Sequence, residues 1–107
     1  MNRVVISGTL LYKPRITITQ TGICRASIFL SVPRNHGEPE GNDYITAVAW
    51  ERQAEDIRDY AAQGDFIEID GIIRTRTIVK EQKNYVQEII AKYVGFPERK
   101  PAQKVDG

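Results

Sequence analysis

The sequence predicts an all-β domain with one short helix, and three observations carry that prediction. Apolar and polar residues alternate with period two in run after run, the pattern of strands with one buried face. A single charged segment, residues 51–63, instead spaces Ala54, Ile57 and Ala61 as one face of a helix. Clusters of turn-forming residues separate the runs at short intervals, as in small barrels.

In chain order, residues 3–11 form a strong first strand in which Gly8 permits a bend, and Tyr12-Lys13-Pro14 breaks it. Residues 15–19 alternate cleanly and turn at Gln20-Thr21-Gly22. In the second main strand, residues 23–32, Cys24, Ala26, Ile28, Leu30 and Val32 face the core, while Arg25, Ser27, Phe29 and Ser31 face away. Pro33 ends it, and residues 34–42 read as a loop by their Gly, Pro and Asn content. Residues 43–50 send Tyr44, Thr46, Val48 and Trp50 to one face and Ile45, Ala47 and Ala49 to the other. The helix of residues 51–63 follows, ended by Gly64. Residues 66–70 resume the alternation, Gly71 marks a bulge, and Arg74, Arg76 and Ile78 then share a face. A polar hairpin tip at 79–84 leads into the last strand, residues 85–94, and Gly95-Phe96-Pro97 closes the domain. This succession suits a five-stranded barrel of the oligonucleotide/oligosaccharide-binding (OB) kind, with the helix plugging one end.

Composition narrows the function classes. At 107 residues the chain is one domain, and its net charge of +1 rules out a uniformly basic coat. The charge is unevenly spread: over residues 71–85 four cations outweigh Glu81 to leave +3, whereas the helical segment carries −2. An anion should meet the hairpin and avoid the helix. No stretch approaches the roughly 18 to 20 apolar residues of a membrane span. One His and one Cys supply no metal cluster, and neither a Gly-rich phosphate cradle nor a nucleophile elbow is present, so no enzyme, metal or cofactor is expected. Glu38, Glu40 and Asp43 read as a solvated acidic loop. The lone Cys24 reads as a small buried hydrophobe in a reducing compartment, which points to the cytoplasm.

A strand face with two large aromatics beside another with two arginines suits a polyanion whose units carry flat rings, which is single-stranded nucleic acid. The candidate contacts are Tyr44, Trp50, Arg74 and Arg76, with His36, Lys80 and Lys83 around them. Each has a plainer alternative. Tyr44 and Trp50 also fit as core aromatics, because the opposite face of their strand is apolar too. Arg74 and Arg76 also fit as solvated strand charges, and His36 as an ordinary loop residue. Phe29 suits either a further stacking surface or a subunit contact.

Residues 1–10 resemble the opening of the bacterial single-stranded-DNA-binding protein family. So do Tyr44 through Trp50 with the helix start Gln53-Ala54-Glu55, then Gln63-Gly64-Asp65, and Asp70-Gly71-Ile72-Ile73-Arg74-Thr75-Arg76. The resemblance runs from Met1 to about Phe96. It implies an OB-fold domain over residues 1–96, a short disordered tail over 97–107, and binding of single strands by stacking and backbone contacts, usually as a tetramer. Position by position, it places family stacking aromatics at His36, Tyr44, Trp50 and Ile78, so two are kept, one is weakened and one is lost. A basic residue common in the family's third strand is Thr46 here. Reduced affinity follows, at roughly 1 to 3 kcal/mol per stacked base.

Typical members of that family continue into a long linker and an acidic terminus that recruits replication and repair enzymes. Residues 98–107 carry a net charge of +1 and nothing comparable. Three alternatives therefore stand beside a general role in replication, recombination or repair. They are a replication-restart protein of the primosomal replication protein N type, a mobile-element binder, and an OB-fold protein-interaction module. The expected partners are single-stranded DNA, further copies of the chain as a dimer or tetramer, and replication or primosome proteins, in a cytoplasmic, nucleoid-associated setting with no membrane. Self-association also follows from residues 3–11, which would otherwise be an exposed edge strand.

Overall fold

Period-two patterning in the sequence becomes one continuous sheet in a computed structural model that describes residues 1–34 and 41–98. Its elements are β1 (Val4–Leu10), β2 (Arg15–Ile18), β3 (Cys24–Pro33), β4 (Asn42–Trp50), α1 (Arg52–Tyr60), β5 (Phe66–Val79) and β6 (Lys83–Gly95). The strand order is β1-β5-β6-β4-β3-β2, and β1 also pairs with β3. Five strands thus close into a ring, with β2 hanging from the outer edge of β3. All pairings are antiparallel except β4 with β6, where Ala47 lies beside Ile89 and Val48 beside Ile90.

The inward residues are those the alternation assigns: Ala26, Leu30, Ala47, Ala49, Ile67 and Ile69 are all buried, and Cys24 joins them. Closure is tight because the backbones approach closely at Gly8, where an added Cβ would stand 2.6 Å from the Ser31 carbonyl oxygen. The seam itself is short. Only Thr9 and Leu10 pair with β3, opposite Ser31 and Leu30, and the Leu11 N–H donates to the Phe29 carbonyl at 3.0 Å.

Helix α1 packs against β3, β4 and β6, burying Ala54 and Ile57, with Ala61 just beyond its end. It is shorter than the expected 51–63, and Gly64 does not end it. Glu51 has φ 56° and ψ −123°, a backbone ordinarily left to glycine, so helical geometry starts at Arg52. At the other end Ala61 is already extended (φ −104°, ψ 135°). The chain there is drawn onto β1: the Gly64 N–H donates to the Leu10 carbonyl at 2.8 Å, and the Leu10 N–H to the Asp65 carbonyl at 2.9 Å. Gly64 serves the turn that feeds β5.

The last two strands form one long hairpin, with Val79 opposite Lys83. Its tip is shorter than the expected 79–84. A register shift falls at Asp70/Gly71 as the glycine suggested, yet the extra residue is Lys92 on β6, since Asp70 faces Tyr93 and Gly71 faces Ala91. Gly71 is instead the site of close approach, where a Cβ would stand 2.1 Å from the Ile90 carbonyl oxygen.

Candidate nucleic-acid interface

Register fixes which side chains share the outer face of the ring. Tyr44 opposes Ser31, Thr46 opposes Phe29, Val48 opposes Ser27 and Trp50 opposes Arg25, all pointing away from the core. Across the parallel junction this face continues through Ile90 and Glu88 of β6 to Arg74 on β5, opposite Glu88, and to Arg76, opposite Val86. The two aromatics and the two arginines of the sequence reading therefore lie on one surface, two strands apart.

Tyr44 is 60% and Trp50 41% exposed, so neither is a core aromatic. They occupy opposite ends of β4, about 20 Å apart at ~3.4 Å per residue. Between them Val48 is buried, so this face is apolar and closed at its middle and open at its ends. Lys80 and Lys83 are exposed at the hairpin tip, and Ile78 is half-buried. His36 lies outside the described residues, as do Glu38 and Glu40; Asp43 pairs with Arg34 at 3.1 Å. Among the described residues no cluster of His, Cys, Asp or Glu is placed to hold a metal, and no helix is long and apolar enough to cross a membrane.

Three features of the face were not read from the sequence. The Arg25 guanidinium lies 5.6 Å from the centre of the Trp50 ring, a cation–π contact that orients the indole. Phe29 stacks with Tyr44, ring centres 6.1 Å apart, and also with Tyr12 at 5.8 Å. Glu88, whose side chain is 9% exposed, stands 3.6 Å from Arg76 and tempers the basic character of the hairpin. The alternation already placed Arg25 and Phe29 outward, but which aromatic each meets depends on the β3–β4 register. Tyr12 precedes Pro14 in a break between strands, where no periodicity assigns it a face.

Around the side of the ring, Arg3 donates to Asp70 through Nε (3.2 Å) and Nη2 (2.7 Å), tying the start of β1 to β5. Those hydrogen bonds hold the Asp70 carboxyl below its ordinary range; partial desolvation opposes them and the Arg3 charge adds to them. Beside this pair Val5 is 69% exposed.

A closed ring with a parallel β4–β6 junction, a helix at one end and an outward aromatic face defines an OB-fold protein. The chain belongs to the single-strand binding protein family, whose model matches residues 1–97. Its relatives include a single-stranded DNA-binding protein of Oceanobacillus iheyensis, 34% identical over 108 residues, covering 96% of this chain and 67% of the relative. A single-stranded DNA-binding protein of Halalkalibacterium halodurans is 32% identical, covering 100% of this chain and 67% of the relative. One from Bacillus cereus is 33% identical, covering 92% and 61%. The chain thus spans about two thirds or less of the length of these relatives.

Proposed function

We propose that this protein binds single-stranded DNA without sequence specificity, as a non-catalytic cytoplasmic component of replication, recombination or repair. The observation that carries the reading is the pair of exposed aromatics, Tyr44 and Trp50, at the two ends of one outward strand face. Bases stack on such rings whatever their identity, because every base presents a π-face. Arg74, Arg76, Lys80 and Lys83 supply phosphate contacts along the hairpin, with His36 as a further candidate. Membership of the single-strand binding family supports the same conclusion.

Titration with an oligothymidylate of ~35 nucleotides, long enough for more than one barrel, tests it. Trp50 is the only tryptophan, so stacking reports directly as quenching of its fluorescence. Affinity should fall with salt at about −0.7 in log–log slope for each phosphate contact. A flat titration at low salt would leave a protein-interaction module as the better reading.

The protein acts as a homo-oligomer, a dimer or a tetramer. Val4 to Ser7 of β1 pair with β5 on one side and have no strand partner on the other among the described residues, and Val5 projects into solvent. Such an edge is a template for a second chain. A monomeric mass by sedimentation at tens of micromolar would overturn self-association. Domain limits at residues 1–96, with a separate terminal segment over 97–107, belong to the same proposal; β6 ends at Gly95.

A further inference from the structure

The stacked rings on the β3 side extend the aromatic surface beyond Tyr44 to two further rings, Phe29 and Tyr12, that have no part in the contacts above. Tyr12, Phe29 and Tyr44 lie nearly parallel, with interplanar angles of 21° and 11°. The two outer rings are the exposed ones, Tyr12 at 62% and Tyr44 at 60%, and Phe29 is half-buried between them. Three rings aligned outside the core are an apolar surface of the sort that marks a contact site. Their charge setting is specific as well. Arg15 opposes Ser27 and Thr17 opposes Arg25, so the outward positions of β2, β3 and β4 carry two arginines and no carboxylate. Arg15 is exposed and has no ion-pair partner among the described residues. On the hairpin, by contrast, Arg76 faces Glu88.

We infer that Tyr12, Phe29 and Tyr44 act as one stacking rail for the bases of a single strand, with Arg15 and Arg25 meeting its phosphates. The strand passes from Tyr44 toward β2 rather than up the β5–β6 hairpin. Parallel rings with open outer faces offer a base a stacking surface at either end. Phe29 holds both tyrosines in place before any ligand arrives, which lessens the ordering that binding requires. An uncompensated positive flank attracts a polyphosphate chain, whose regular row of charges releases its counterions as the arginines meet it.

This inference rests on the single-strand reading, and its test separates the two. Full-length Tyr12→Ala and Arg15→Gln are titrated with the same oligothymidylate, following Trp50 quenching, alongside thermal melts. Tyr12→Ala should weaken binding about 5- to 150-fold with an unchanged melting temperature. Arg15→Gln should reduce the salt slope by about 0.7. An oligonucleotide carrying 5-iodouracil, photocrosslinked and mapped by mass spectrometry, should attach to Tyr12 as well as Tyr44. Unchanged affinity for Tyr12→Ala, or crosslinks confined to Trp50, Tyr44 and the hairpin, would overturn the rail while leaving single-strand binding intact. No quenching of the unaltered protein would remove both.

Discussion

Two flanks of the same outer face differ in how they are built. On the β2–β3–β4 flank, three rings stack in a row, Arg25 lies over Trp50, and the outward strand positions carry Arg15 and Arg25 without a carboxylate. On the β5–β6 flank, Arg76 stands beside a nearly buried Glu88, and Ile78 occupies the position where the family resemblance places a stacking aromatic. The first flank offers flat surface and unbalanced positive charge; the second offers charge partly answered from within. A net count over the hairpin would rank them the other way. For a charged, ring-bearing ligand, the local partner of each cation matters more than the sum over a segment.

The largest effect should come from the root of the hairpin. Gly71→Ala places a methyl against the Ile90 carbonyl, a backbone atom that cannot rotate away. Stability should fall by about 3 kcal/mol, read as the midpoint of urea unfolding. An unchanged midpoint would show that the two strands slide apart freely, and that the hairpin is not rigidly seated on the ring.

Next comes the other flank. Trp50→Ala should weaken DNA binding by about 1 to 3 kcal/mol, measured by anisotropy of a labelled oligonucleotide because the intrinsic probe is gone. The fold should survive, since the ring is outside the core. A variant that melts much earlier while binding normally would make the indole a packing element.

A smaller gain should follow from equipping the weaker flank. Ile78→Trp adds a platform beside Arg76 and should tighten binding by about 1 kcal/mol. If affinity stays put, the strand does not reach this part of the hairpin, and the contrast between flanks becomes sharper. The smallest change is Glu88→Gln, which removes the counter-charge of Arg76 at constant size. Binding should improve by roughly 0.5 kcal/mol, with a steeper dependence on salt. Weaker binding instead would mean that Glu88 positions Arg76 for its phosphate.

The legible part of this molecule is the part governed by strand alternation. Leu30, Ala47, Ile67 and Ile69 point inward, and Tyr44 and Trp50 outward, because side chains on a strand have a period of two and one face must be dry. The helix limits were missed because they are set from outside the helix. Glu51 adopts a conformation that its residue type does not advertise, and Leu10, far away in sequence, captures the chain at Gly64 and Asp65. The bulge was placed correctly but assigned to the wrong strand, since Gly71 marks a close approach as readily as an insertion. At the site, Glu88 escaped notice because it lies beyond the basic run, on the next strand. Tyr12 escaped because only ring closure carries it to Phe29.

That closure has a kinetic consequence. The Leu11 amide spans the seam to the Phe29 carbonyl, and Tyr12, the next residue, stacks on the Phe29 ring. The lock of the barrel and the first step of the aromatic rail thus meet at one junction. Strands joined across so few residue pairs open first in the native state. Each such opening parts Tyr12 from Phe29. The exchange rate of the Leu11 amide proton with solvent is therefore a clock for how often the rail is broken, and a strand lying across the three rings would slow it.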